Sequence, residues 1–184
     1  MKKSKLIVDV TLISVFSAIL IAQTFALSML PNIQLTFLFL FICVKHFGVK
    51  KTGLIFIIYL LVINSILGGF NLIYFPFQLI AYLAVILMVK FFIMQTNNNI
   101  ILAFLSIIMA IFYCLVFAIP SVLILEIDFL VYLVSDLIFM MFLALSSFLS
   151  VLLFYPVSEK NLGKLLLRLN RNDENLLSTD GGDE

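Results

Sequence analysis

Long apolar runs separated by short polar or turn-forming segments make up most of this chain. A helix needs roughly 20 apolar residues to cross about 30 Å of hydrocarbon, and most of the runs approach that length. The pattern predicts six transmembrane helices, over Leu6–Met29, Leu35–Phe47, Thr52–Leu67, Tyr74–Met94, Ile100–Ile119 and Tyr132–Tyr155.

Helix-breaking residues lie between the runs, where turns are expected. They are Pro31-Asn32, Gly48, Gly68-Gly69, Asn97–Asn99, Pro120 and Pro156. The second and third runs are short, and short spans must be embedded among neighbours or leave a thinned or cavity-bearing region. The segments predicted as connections on one side are Leu30–Gln34, Gly68–Asn71 and Pro120–Val131.

Positive charge alternates strictly between the connections. The eleven basic residues are Lys2, Lys3, Lys5, Lys45, Lys50, Lys51, Lys90, Lys160, Lys164, Arg168 and Arg171. They flank the first run, the second turn, the end of the fourth run and the end of the sixth. The other connections contain no Lys or Arg. Because basic residues mark the cytoplasmic side of a membrane, we expect an all-α, six-helix integral membrane bundle with both termini cytoplasmic.

Composition agrees with a membrane protein and sets the domain boundaries. The 184 residues are 64% hydrophobic and 11% charged, with a mean hydropathy of +1.26; soluble domains are about half apolar and a quarter charged. Residues 1–160 are predicted as one six-span domain and 161–171 as an amphipathic segment on the inner membrane surface. The acidic tail, 172–184, is predicted to be disordered. The basic residues form no single patch, so nucleic acid is not an expected partner.

Residues that carry catalysis or metal binding are not apparent. The sequence lacks a Ser/His/Asp set, His/Cys metal spacing and a phosphate-binding loop, so we predict no catalytic residue, metal or cofactor. Cys43 and Cys114 lie in apolar runs and are interpreted as small apolar fillers. The lone His46 is expected in a cytoplasmic loop, exposed to solvent.

Small side chains recur at every fourth position of the first helix. They are Ser14, Ala18, Ala22 and Ala26. Small residues at this spacing let another helix approach closely within lipid. The stripe indicates either a docking face for a partner subunit or packing inside the bundle, and the sequence alone does not choose between them.

Polar side chains gather toward the predicted outer half of the spans. We predict a substrate site from Asn32, Gln34, Asn64, Asn71, Gln78, Tyr82, Tyr132 and Asp136. Polar groups at membrane depth need partners and often mark a ligand site. The alternative for the amides is helix capping and interhelical hydrogen bonding. Asp136 either caps its helix or faces a ligand.

Several of these segments together resemble a known family. They are Ala18-Ile-Leu-Ile-Ala22, the turn Pro31-Asn32-Ile-Gln34-Leu-Thr36, the inner turn Gly48-Val-Lys-Lys-Thr-Gly53, a glycine-bearing outer loop and Asp136 at the start of the sixth helix. With the six-span topology, they resemble the substrate-binding S component of an energy-coupling factor (ECF) transporter, over residues 8–165.

The resemblance implies a non-enzymatic subunit that binds a vitamin outside the cell. A separate membrane coupling protein and two ABC-type ATPases would complete the importer, and the S component would topple in the lipid bilayer to deliver its substrate. The uncharged segment 52–89 suits such movement, because carrying charge through hydrocarbon is costly. The competing class is a small multi-span cell-shape scaffold of the MreD type, which needs lateral contacts but no ligand.

The charges of the outer connections restrict the chemical class of the expected substrate. The outer connections offer no Lys or Arg to an anion, but they contain acids at Glu126 and Asp128, and Asp136 follows. A buried carboxylate needs a paired cation or several donors. Tyrosines are available to stack on a flat ring, at Tyr74, Tyr82, Tyr113 and Tyr132. The sequence therefore favours a neutral or cationic, heteroaromatic substrate.

Overall fold

The structure, a computed structural model, describes residues 2–30, 32–67, 70–96 and 98–179, which form helices joined by short connections. The helices are α1 (Lys2–Ala26), α2 (Thr36–Leu67), α3 (Tyr74–Ile93), α4 (Asn99–Leu125) and α5 (Phe129–Thr179). Within those ranges there is no β-strand, and five helices are long and apolar enough to cross a membrane. The predicted all-α membrane class is confirmed at this level.

Helix α2 reverses direction at Gly48. The φ of 74° and ψ of 173° at this residue lie in a region that is essentially restricted to glycine. A continuous helix from residue 34 to residue 64 would be about 45 Å long at 1.5 Å per residue. Instead, Gln34 and Asn64 line the same cavity. The stretches before and after Gly48 therefore lie side by side, and they correspond to the second and third predicted spans.

Two prolines expected to end helices lie inside them instead. Pro120 is within α4 and Pro156 is within α5. Proline removes one backbone donor, which a membrane helix tolerates where neighbouring side chains satisfy the freed groups. The group that Pro120 frees is the carbonyl oxygen of Val116, four residues earlier. Next to it, the Ser121 hydroxyl donates to the carbonyl oxygen of Phe117 at 3.2 Å. The prediction that these prolines terminate their helices is wrong.

The connection between α4 and α5 is correspondingly shorter than predicted. Instead of Pro120–Val131, only residues 126–128 separate the two helices. Glu126 ends α4 in the left-handed conformation, with φ of 54°. The Asp128 carboxylate then accepts the backbone N–H of Leu130 at 2.8 Å and caps α5.

Helix α5 continues beyond the predicted sixth span. It includes the segment 161–171 and extends to Thr179, where disorder is predicted from residue 172; residues 180–184 lie outside the described part. The apolar side of this extension packs against the bundle rather than only facing a membrane surface, because Leu162 and Leu166 join the core. The helix therefore passes through Pro156 and contributes contacts to the core beyond it.

The centre of the bundle is α2, which packs against α1, α3 and α5, while α4 joins α3 to α5. Large aromatic side chains fill the interior, and those fully buried are Phe37, Phe41, Phe56, Tyr82 and Tyr155. Many aliphatic side chains point outward, including Leu87, Ile108 and Leu153. An apolar exterior is what lipid solvates well, and it agrees with the membrane class.

Ion pairs collect at one end of the bundle, which we call the charged end. Lys51 pairs with Asp9 near the start of α1, and Lys45 pairs with Glu159 of α5 at 3.2 Å. The start of α1, the Gly48 turn and the middle of α5 therefore meet there. His46 lies beside them, but its Nε2 atom is buried rather than solvated, and it has no hydrogen-bond partner among the described residues.

Candidate ligand-binding site

Two adjoining cavities lie at the opposite end of the bundle, which we call the cavity end. Each has a volume of about 270 Å³. The Asp136 cavity is lined by Asn32, Gln34, Gln78, Tyr113, Cys114, Phe117, Tyr132, Asp136 and Leu143. The Tyr59 cavity is lined by Thr24, Gln34, Tyr59, Leu60, Ile63, Asn64, Leu67, Gln78, Tyr82 and Tyr113.

The two cavities share the side chains of Gln34, Gln78 and Tyr113. Gln78 is held in place by Asn64, which lines the Tyr59 cavity. The Asn64 amide nitrogen donates to the side-chain oxygen of Gln78 at 2.8 Å. The same nitrogen donates to the carbonyl oxygen of Leu60, also at 2.8 Å. These bonds fix the position of Gln78. Because Gln34, Gln78 and Tyr113 line both cavities, a molecule in either cavity contacts residues that also line the other.

Asp136 supplies the only carboxylate among the residues that line either cavity, and none of those residues is Lys, Arg or His. It lies in the second turn of α5, and the cap of that helix is already provided by Asp128. Within the described ranges, no ion pair includes Asp136. The alternative role of helix cap is therefore excluded, and this half-buried charge faces the cavity without a cation.

Aromatic rings form a row along both cavities. Tyr113 lies almost parallel to Phe117, with ring centroids 6.1 Å apart and an interplanar angle of 8°. Tyr82 is 4.8 Å from Tyr113 on the other side, and Tyr59 follows at 6.3 Å from Tyr82. Such rings offer flat apolar faces on which a planar ligand can stack.

Gln23 joins α1 to the cavity end, a role that the sequence did not reveal. Its side-chain oxygen accepts the backbone N–H of Leu35 at 3.0 Å. Its nitrogen donates to the hydroxyls of Thr24 at 2.6 Å and Thr36 at 3.1 Å. The Thr24 hydroxyl lies 3.2 Å from that of Tyr59, inside the Tyr59 cavity. The network therefore ties one helix to the cavity wall.

Most of the residues predicted to form the substrate site converge in these cavities. Those that line one or both are Asn32, Gln34, Asn64, Gln78, Tyr82, Tyr132 and Asp136. Asn71 does not: it is exposed, and its side-chain oxygen accepts the backbone N–H groups of Ile73 at 2.9 Å and Tyr74 at 3.3 Å. It caps α3 and lines neither cavity.

The lining residues that were not predicted include Thr24, Tyr59 and Phe117. Each lies in a helix that is apolar on most sides, so the pattern of polar and apolar residues does not show which side faces the interior. The available signal was the spacing of Tyr113 and Phe117 at i, i+4, which places both rings on one side of α4. For Thr24, the polar pair that it forms with Gln23 in an otherwise apolar helix was the only cue.

The stripe of small residues on α1 is not used for packing inside the described bundle. Ser14, Ala18, Ala22 and Ala26 are all exposed. The opposite face of α1 packs against α2, where the Ser17 hydroxyl donates to the carbonyl oxygen of Ile55 at 3.3 Å. The four small side chains therefore lie on the outer side of the first helix.

A third depression, of about 250 Å³, lies between α5 and the segment before α2. Its lining is almost entirely apolar, with Phe142, Leu145 and Leu153 exposed on its rim. It offers few groups that would orient a polar ligand, so we place the candidate site in the two polar cavities. Among the described side chains, no group of three His, Cys, Asp or Glu residues is placed to hold a metal ion.

Comparison with known proteins identifies no relative: no family model, no curated protein and no solved structure matches this chain.

Proposed function

We propose that this chain is the high-affinity substrate-binding subunit of an ECF-type, ATP-driven importer in a prokaryotic plasma membrane. The observation that carries the proposal is the pair of polar cavities, which gathers residues from α1 to α5 around an unpaired carboxylate. A concave site with a few convergent polar groups is the usual form of a small-molecule site. Its cargo is a vitamin or related micronutrient.

Six membrane crossings follow if each stretch of α2 crosses separately. Asp9 and Lys45 then lie on the same side of the membrane, together with Lys51 and Glu159. Since Lys and Arg mark the cytoplasm, the charged end is cytoplasmic, both termini are inside and the cavity end faces out. An outward-facing site is what a subunit that captures a substrate from the medium requires.

The substrate is neutral or cationic and contains a heteroaromatic ring. Asp136 attracts a cation, and the lining residues provide no basic side chain for an anion. The row from Tyr59 to Phe117 supplies stacking surfaces. Substrates of this chemistry include thiamine, a B6 vitamer, riboflavin and a deazapurine nucleoside.

The partner of this subunit is a membrane coupling protein that carries the ATPases. The exposed stripe that includes Ala18 and Ala22 is the docking face, because small residues let a second helix approach closely. A cell-shape scaffold would also need lateral contacts, but it would have no use for a cavity that holds an unpaired acid. The cavities therefore favour the binding subunit over the scaffold.

The docking proposal is tested by a tryptophan placed on the stripe. Tagged protein is purified from its own host as the wild type and as Ala18→Trp and Ala22→Trp. We expect ATPase subunits to co-purify with the wild type and to be lost from both variants, with uptake abolished and the bound small molecule retained.

Ile108→Trp is the matched control, since Ile108 is 55% exposed on α4, away from the stripe. It should keep the ATPases. Absence of ATPases from the wild type would contradict the importer, and equal retention by the stripe variants would move the docking face elsewhere. Loss of both uptake and bound molecule would assign the stripe to internal packing.

A further inference from the structure

The two cavities differ in the chemistry of their walls. The Asp136 cavity contains a carboxylate together with the rings of Tyr113, Phe117 and Tyr132. Among the described residues, those that line the Tyr59 cavity include no acid and no base. Its polar groups are the hydroxyls and amides of Thr24, Gln34, Tyr59, Asn64, Gln78, Tyr82 and Tyr113, and its aliphatic side chains are Leu60, Ile63 and Leu67.

A negative charge without a cation partner is costly at membrane depth. The cost is removed when a positively charged group lies beside Asp136. The nearby rings are suited to a flat, positively charged nitrogen heterocycle, because aromatic faces also attract cations. The Asp136 cavity is thus matched to the charged part of a substrate.

Neutral hydroxyl and amide groups cannot compensate a buried phosphate or carboxylate as a basic side chain does. They can exchange hydrogen bonds with hydroxyl groups of a ligand, since each is both a donor and an acceptor. Leu60, Ile63 and Leu67 offer apolar contact to the carbon skeleton that carries such hydroxyls. The Tyr59 cavity is thus matched to a neutral, hydroxyl-bearing part.

We propose that one substrate occupies both cavities, with a cationic nitrogen heterocycle beside Asp136 and a neutral, hydroxyl-bearing group in the Tyr59 cavity. This inference rests on the proposed function. The connection between the two parts passes Gln34, Gln78 and Tyr113, the residues common to both cavities. The ligand carries no phosphate or carboxylate.

The test begins with the molecule that the protein binds in its host. Full-length protein is purified from host membranes, the bound molecule is released, and its composition and charge are determined by mass spectrometry. We expect a basic nitrogen heterocycle joined to a hydroxylated group. A bound molecule with an acidic group, or with a single ring and no hydroxylated part, overturns the two-part ligand but leaves a substrate-binding subunit. Absence of any specific molecule overturns the proposed function itself.

Variants then assign each part to its cavity, with the recovered molecule as the titrant. Asp136→Asn keeps the shape of the side chain and should weaken binding at least tenfold. Thr24→Val removes one hydroxyl from the Tyr59 cavity and should weaken binding about two- to tenfold. Glu126→Gln removes an acid at the same end that lines neither cavity, and it should have no effect.

A bulkier side chain in the Tyr59 cavity tests whether the ligand occupies that cavity while the stability of the protein is unchanged. Leu67 lines the Tyr59 cavity and is 45% exposed, so Leu67→Trp should fill that cavity with little cost to the fold. It should lower affinity at least tenfold, while thermal unfolding of the ligand-free protein stays near that of the wild type. Unchanged affinity in Leu67→Trp shows that the Tyr59 cavity is empty, and unchanged affinity in Asp136→Asn shows that the bound group is not a cation. Either result refutes the proposal.

Discussion

The charged end and the cavity end of the bundle differ in whether an acidic side chain has a basic partner. At the charged end, Asp9 and Glu159 each have a lysine partner. At the cavity end, Asp136 is partly buried with no ion pair among the described residues, and the neighbouring polar network is built from uncharged amides and hydroxyls. The fold therefore pairs Asp9 and Glu159 with lysines at one end, and among the described residues it leaves Asp136 facing a cavity without such a partner at the other.

Under the proposed function, this difference separates groups that hold the structure from a group that binds a ligand. Ion pairs at the charged end satisfy their own members and require nothing from outside. An unpaired acid at membrane depth lowers the stability of the protein that contains it, and the proposal accounts for its presence by a bound cation. The comparison makes distinct predictions for stability at the two ends, which follow from the largest to the smallest.

Gln23→Leu should produce the largest loss of stability, about 2–4 kcal/mol. It strands the backbone N–H of Leu35 and removes the bonds to Thr24 and Thr36, and each unsatisfied buried group costs about 1–3 kcal/mol. Thermal unfolding in detergent measures the change. Thr11→Val is the control, since the Thr11 hydroxyl bonds only within the exposed side of the same helix. Equal losses in both variants would mean that the Gln23 network does not hold the cavity end together.

Gly48→Ala should lower the free energy of unfolding by about 1–3 kcal/mol, because its backbone conformation is strained for any residue with a Cβ. No atom lies within 4 Å of the added Cβ, so the cost comes from the backbone and not from a clash. Gly53→Ala is the matched control: its Cβ would meet Leu83 at an ordinary 3.7 Å inside a helix. A stable Gly48→Ala variant would contradict the reversal of α2 at the charged end.

Glu159→Gln should cost no more than about 1 kcal/mol, because the pair with Lys45 is partly exposed and such pairs contribute little. The two side chains are 35% and 25% exposed. The double variant Glu159→Gln with Lys45→Met should lose less stability than Glu159→Gln alone, since Lys45→Met removes the charge that Glu159→Gln leaves unpaired. A double-mutant cycle in low and high salt measures this coupling. An additive result at both salt concentrations would show that the two charges are independent.

Asp136→Asn should leave the stability of the ligand-free protein unchanged or slightly higher, since it removes an unpaired charge and keeps the side-chain shape. The same variant should lose at least tenfold in ligand affinity. The contrast with Glu159→Gln is the sharpest form of the comparison. A destabilised, ligand-free Asp136→Asn protein would show that Asp136 has a structural partner after all.

Much of the fold and of the candidate site could be predicted because lipid solvates polar side chains poorly. A residue such as Gln78 or Asn64 in an apolar run has to turn inward and find a partner, so the sequence pattern alone places it in the interior. The Gly48 turn was predictable because glycine marks such a break between two apolar runs.

What could not be predicted depended on tertiary contacts. Pro120 and Pro156 did not end their helices, because a proline removes only one backbone donor, and a membrane helix packed among its neighbours tolerates that loss. The position of Asn71 outside the cavities could not be predicted, because a loop amide caps a helix as readily as it binds a ligand. The inward rotation of Thr24 and Tyr59 depends on how α1 and α2 pack, which the spacing of apolar residues does not specify.

An experimental structure of the protein purified from its own host tests the central claim most directly. We predict non-protein density that fills both cavities, with an atom of the bound molecule within hydrogen-bond distance of the Asp136 carboxylate. The density should be absent beside the amide of Asp136→Asn protein prepared in the same way. Empty cavities in the wild type, or a bound molecule whose anionic group lies beside Asp136, would contradict the account.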